Sequence, residues 1–128
     1  MSKVMKQFSI YLPNKPGELK KLLLKVKKIN LSAAATFASK DGAIMRLVPQ
    51  DTGSFQKIMN QNKINYSKQD VLMLTVKDQP GGLLRILAKL QQAHINIDGL
   101  YIVGESVGSG ATCIIQTEDV KRAQKTLG

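Results

Sequence analysis

Two stretches of this 128-residue chain carry residue types suited to holding a carboxylate. They are Asn14-Lys15-Pro16-Gly17-Glu18-Leu19 and, 64 residues later, Asp78-Gln79-Pro80-Gly81-Gly82-Leu83. Each follows an apolar run and precedes apolar residues at helical spacing. The pattern predicts a strand, a polar turn and a helix that opens with Pro, a position where the missing N–H is not needed. Lys15 and Gln79 are poor N-caps, so the first backbone N–H groups of each helix lack an obvious side-chain partner. A ligand carboxylate would satisfy them at the positive end of the helix dipole, and Gly17 and Gly81 would let it come close. The alternative is that Asn14 and Asp78 fold back and cap the turns, or that water does.

Catalysis finds little else to work with. His94 is the single histidine and reads as the end of a helix, and with one His and one Cys no metal cluster or nucleophile–base pair has recognisable spacing. Residues 104–110, Gly-Glu-Ser-Val-Gly-Ser-Gly, lack the Lys-Ser/Thr ending of a phosphate loop and join two strands. No catalytic residue and no cofactor is expected. Cys113 cannot form an internal disulfide and lies in a strand-like run, which suits a buried, reduced thiol in the cytoplasm. No signal peptide opens the chain, and its apolar runs are far shorter than the ~20 residues a membrane span needs.

The net charge of +10 is uneven: residues 1–70 hold 13 Lys and Arg against 4 acids, residues 71–128 hold 6 against 5. A polyanionic partner therefore has to be considered. Five of these basic residues fall on one helix, where Lys20, Lys21, Lys25, Lys27 and Lys28 oppose an apolar face of Leu19, Leu22, Leu23, Val26 and Ile29. That reads as a solvated face, with Leu24 the one apolar residue set among the lysines.

The elements that must position the turns follow from periodicity. Phe8, Ile10 and Leu12 alternate with Gln7, Ser9 and Tyr11, as in a strand with one face buried. After the first helix, Leu31, Ala33, Ala35 and Phe37 alternate, a turn at Lys40-Asp41-Gly42 returns the chain through Ala43 to Val48, and Asp51 or Ser54 caps a short helix. Ile64-Asn65-Tyr66 begins another extended segment. The second half repeats this order: Val71 to Val76 as an inner strand, a helix burying Leu83, Ile86, Leu87, Leu90 and Ala93, strands at 96–103 and 111–116, and a helix capped by Thr117. The repeat divides the chain into units at 1–70 and 71–128. The second has no fourth strand of its own.

A strand, Asn/Asp-x-Pro-Gly-x-Leu, an amphipathic helix and then Ile-Asn-apolar entering a strand together resemble the ACT domain, the small ferredoxin-like module that binds amino acids in metabolic regulators and enzymes. The resemblance covers about residues 5–68 and 71–127, as in a stand-alone tandem ACT protein. It implies an α+β fold: two ferredoxin-like βαββαβ units with antiparallel sheets and helices on one face, the second lacking its last strand. It also implies ligands at the seam where ACT units pair. Carried over by position, Asn14 and Asp78 meet the ligand's polar groups, Gly17 and Gly81 allow close approach, and the amides of Glu18, Leu19, Gly82 and Leu83 meet its carboxylate. Asn30 and Asn96 reach across the seam, and Leu12, Val76, Leu83 and Ile97 supply apolar walls suited to an aliphatic or small side chain. Asp78 can pair with an ammonium whereas Asn14 cannot, and Glu18 opposes a carboxylate at the first turn, so the second turn is expected to bind tighter.

The expected function is a non-catalytic amino-acid sensor, partnered by a small amino acid, by a second copy in a homodimer and by a metabolic enzyme or regulator. The open edge of the strand at 71–76 calls for cover by a neighbouring chain or another segment of this one. Two other readings stand beside it: a basic ferredoxin-like nucleic-acid binder, and an interaction-only regulatory subunit without a ligand. Three Phe, three Tyr and no Trp, with no aromatic recognition run, argue against nucleic acid.

Overall fold

The computed structural model describes residues 2–76, 80–106 and 110–128, except the side chains of Glu105 and Ser106. The elements run β1 (Ser2–Leu12), α1 (Glu18–Lys25), β2 (Leu31–Ser39), β3 (Gly42–Pro49), α2 (Thr52–Gln61), β4 (Ser67–Val76), α3 (Gly82–Gln92), β5 (Gly99–Ser106), β6 (Gly110–Gln116) and α4 (Val120–Leu127). The chain divides into two compact units, one of residues 6–69 and one that joins residues 2–5 to 70–128.

In the unit of residues 6–69 the strand order is β2-β3-β1-β4, with β4 represented by Ser67–Gln69. β1 and β3 pair antiparallel with Phe8 opposite Leu47 and Ile10 opposite Met45, which sets these four on one face. There they pack with Leu22 and Val26 from the first helical segment and Phe55 and Met59 from α2. Phe8 is the hub, its ring 4.6 Å from Phe55 and 5.2 Å from Tyr66. α1 is shorter than its apolar pattern, because Val26 is already its C-cap. Leu22 is buried while Leu19 and Leu23 are each 37% exposed, so the predicted apolar face is only partly turned inward. The one-sided alternation predicted for β1 also fails at its centre. Gln7 and Ser9 are buried together with Phe8 and Ile10, and only Tyr11 of the polar set stands out in solvent.

In the other unit β6 lies between β4 and β5, and the place on the far side of β4 is taken by Ser2–Met5 of β1. The stand-in for the missing last strand is thus another segment of the same chain. Gln124 Nε2 donates to the Ser2 carbonyl at 3.3 Å and ties this segment to α4. The core holds Leu72, Leu74 and Val76 of β4, Cys113 and Ile115 of β6, Leu90 of α3 and Val120 and Ala123 of α4. The predicted cap of α4 is displaced. Asp119, not Thr117, accepts the Arg122 amide at 3.1 Å, because the Thr117 hydroxyl donates instead to the Asn96 carbonyl at 2.7 Å. β4 is one strand where the periodicity suggested two, and β5 runs on to Ser106, three residues beyond the predicted strand. Each unit is an α+β, ferredoxin-like sheet with its helices on one face.

Candidate functional site

The first turn is built by the conformational limits of Pro and Gly. Pro fixes φ near the value for the second position of a type II turn, and the third position demands a positive φ. Gly17 has φ 87° and ψ −10°, and the Glu18 amide reaches the Lys15 carbonyl at 3.4 Å, closing Lys15-Pro16-Gly17-Glu18 as such a turn. Pro16 is therefore not the first helical residue. The left-handed Gly17 cannot belong to the helix, so it becomes the N-cap and α1 starts at Glu18. Gly81, with φ 82° and ψ 2°, repeats this geometry as the N-cap of α3. Among the described residues, a methyl group added to either glycine would meet no atom within 4 Å.

Neither glycine can cap with a side chain, and among the described residues no other side chain does so. Asn14 does not fold back. Its Nδ2 donates to the Ser39 carbonyl at 2.9 Å and fastens the turn to the β2–β3 hairpin. The Glu18 amide, expected to meet a ligand, is taken up by the Lys15 carbonyl, which leaves the amides of Leu19 and Lys20 facing outward with the dipole. Beside them the Glu18 carboxylate lies 3.7 Å from the Lys21 ammonium, which offsets part of its charge. Asp78, the residue on which the second turn's preference for an ammonium was argued, lies outside the described residues, as do Lys77 and Gln79.

The remaining predicted residues scatter within their units. Leu12 is half-buried and lines a hollow of about 540 Å³ with Tyr11, Pro13, Phe37 and Ser39. Val76 is buried in the core, and Leu83 packs against it. Asn30 directly precedes β2, whereas Asn96 lies three residues before β5, which starts at Gly99 and not at the predicted 96; their carbonyls accept the Gln50 amide at 2.9 Å and the Thr117 hydroxyl. The Asn96 side chain donates to Asp98 at 3.2 Å. Asn96 and Ile97 line a hollow of about 520 Å³ with Gln91 and His94 at the C-terminal end of α3, whereas Gly82 lines one of about 360 Å³ at its N-terminal end. Eleven helical residues, roughly 16 Å, separate the two ends, so the unit does not itself bring Asn96 to the turn.

Periodicity gave no site role to Arg85 and Lys89, which line the hollow at Gly82, or to Tyr11, Phe37 and Arg46, of which it placed the first two only as strand residues. Strand register puts Tyr11, Ile44 and Phe37 in one row on the face without helices, and the Arg46 guanidinium stands 5.4 Å over the Phe37 ring. Hydrogen bonds from the Ser54 hydroxyl and amide hold the Asp51 carboxyl below its ordinary range, and burial pushes the Cys113 thiol up to about 11. Among the described residues no three His, Cys, Asp or Glu side chains gather as metal ligands, and no helix is long and apolar enough to cross a membrane.

A family model described as the ACT domain pair matches residues 3–127. No curated protein sequence matches the chain. Among crystal structures, a protein from Bacteroides thetaiotaomicron superposes with a TM-score of 0.88 at 26% identity, over 98% of this chain and 88% of that one. The ligand-free regulatory subunit of aspartate kinase from Thermus thermophilus gives 0.69 at 13% identity, over 98% and 93%. Aspartokinase III of E. coli in complex with lysine and aspartate gives 0.58 at 14% identity, over 98% of this chain and 31% of that enzyme.

Proposed function

Since the chain belongs to the ACT domain pair family, we propose that it is a non-catalytic regulatory protein that binds a free amino acid at its Pro-Gly turns. The observation that carries this reading is the pair of helices that begin at a left-handed glycine which, among the described residues, has no side-chain cap and nothing within 4 Å above it. A carboxylate meets the first-turn amides, and the ammonium meets Asp78 at the second turn or the Asn14 side-chain oxygen at the first. Similarity of fold to the regulatory subunit of aspartate kinase supports a regulatory role. In this reading the protein works in the cytoplasm as a homodimer and passes the signal to a metabolic enzyme or another regulator.

Thermal unfolding of the full chain against all twenty amino acids tests the reading. One amino acid, or a chemically related few, should raise the melting temperature, by roughly 2.7 kcal/mol of linkage at a hundredfold excess over Kd. Asp78→Ala should abolish most of that rise and Asn14→Ala a smaller part. A short RNA serves as control, because Tyr11 and Phe37 stand exposed on the helix-free face. Stabilisation by RNA alone, falling steeply with salt, would replace the amino-acid reading with a nucleic-acid one.

A further inference from the structure

The hollow of about 540 Å³ at the tip of the β2–β3 hairpin is formed wholly from residues 11–44. Its middle is the row Tyr11, Ile44 and Phe37, on three neighbouring strands of the face without helices. Both aromatics stay in solvent, Tyr11 at 70% and Phe37 at 51% exposure, where a sheet face with no ligand or partner to meet would carry polar residues. Asp41 borders the hollow at the hairpin tip, and among the described residues its carboxylate forms no ion pair. The Ser39 hydroxyl accepts the Asp41 amide at 3.3 Å, which fixes the turn carrying that acid. One row further along β3 stands Arg46, half-buried, its guanidinium 5.4 Å over the Phe37 ring and likewise in no ion pair among the described residues. An acid, a pair of flat apolar rings and a cation thus follow one another along the hairpin. Around them, residues 6–69 hold 12 Lys and Arg against 3 acids.

We propose that this row binds a guanine mononucleotide, with the base held between Tyr11 and Phe37. Two strand spacings, roughly 9.6 Å, separate the positions that carry the rings, whereas one stacked base needs about 7 Å and two need about 10.5 Å. The row therefore takes a single base. Guanine presents two N–H donors side by side on one edge, which a carboxylate receives as two parallel hydrogen bonds. Adenine and cytosine set a donor beside an acceptor there, and uracil sets one donor between two carbonyls. Asp41 meets that edge, and at the other end the phosphate meets the planar fork of Arg46. Gly42 to Arg46 spans roughly 14 Å along β3, which an extended nucleotide bridges once both side chains reach inward. A free α-amino acid carries its ammonium and carboxylate on one carbon and cannot serve both ends. A cationic ligand, or the same face of a second copy, would meet the excess of positive charge in residues 6–69. The volume lies within the roughly 300–1,000 Å³ of ligand cavities. This site does not rest on the amino-acid reading, because it uses no amide of either Pro-Gly turn.

Isothermal titration of the full chain at constant ionic strength with GMP, UMP, guanosine and L-tryptophan tests the assignment. GMP should bind at least about tenfold tighter than UMP or tryptophan. Tyr11→Ala and Phe37→Ala should each weaken GMP about tenfold, as loss of a stacking partner does. Arg46→Gln should weaken GMP about tenfold while leaving guanosine unchanged, a split that a misfolded variant would not show. Asp41→Asn should bring GMP down to the level of UMP. Failure of the native chain to bind GMP, or equal binding of GMP and UMP, would overturn the proposal. Tryptophan binding as tight as that of GMP would overturn the phosphate end. GMP binding that survives in both Tyr11→Ala and Phe37→Ala would overturn the site. A short guanine-containing single-stranded RNA that binds more than about tenfold tighter than GMP would overturn the free nucleotide as ligand in favour of nucleic acid.

Discussion

Cys113 shows how one buried group ties folding to pH. It is fully buried in β6, and burial raises its thiol from the usual 9.0 to about 11. A raised folded-state value means that its contribution to stability is complete below the unfolded value and is lost as pH rises through about 11. Native protein should therefore resist Ellman's reagent at pH 8 and react fully once unfolded. Cys113→Ala should flatten part of the fall in stability between about pH 9 and 11, measured by urea titration at each pH. An unfolded-like labelling rate in the native protein would contradict the burial. The sequence made this residue legible, because a single thiol in an alternating apolar run has few other places to go. Gln7 and Ser9 were not legible in the same way. Their pattern is that of an exposed strand face, and only what packs above a strand can reverse it. Thr117 was misread for a similar reason, since the carbonyl that recruits its hydroxyl belongs to Asn96, 21 residues earlier.

At the scale of elements, the Pro-Gly turns were readable because their geometry is local. Pro sets one dihedral and Gly permits the next, whatever the rest of the chain does. The helix start was misplaced by two residues because the same left-handed Gly that makes the turn is excluded from the helix. Glycine should therefore behave oppositely in different helices of this chain. Gly17→Ala and Gly81→Ala, at φ near +80°, should each cost about 1 kcal/mol, although neither new methyl meets an atom of the described residues within 4 Å. Gly53→Ala, in the first turn of α2, where the methyl finds only an ordinary 3.8 Å contact, should stabilise by about 0.5–1 kcal/mol. Chemical denaturation of the three variants checks both signs. A gain at Gly81 would mean that the turn relaxes and that the open amides are not held in place.

For the molecule as a whole, the feature with the widest reach is the strand β1, whose residues 2–5 belong to one unit and 6–12 to the other. No local signal announces this, because the segment Ser2-Lys3-Val4-Met5 has no alternation and its neighbour β4 lies more than sixty residues along the chain. Deleting residues 2–5 should bare one side of β4. Hydrogen exchange should then quicken at Cys113, Ile114 and Ile115 of β6 while Met45 and Leu47 of β3 keep their protection. Equal loss in both units, or none in either, would show that residues 2–5 do not serve the unit in which they lie. The arrangement also sets an order of assembly. During synthesis residues 6–69 have everything they need before the rest has been made. Residues 2–5 must wait until β4, β6 and α4 have emerged, a closure over almost the whole chain that slows folding of the second unit. Until then residues 2–5 are an unpaired strand, free to join the matching edge of another copy, and at high expression the slowly closing chain is exposed to exchange of this segment between molecules.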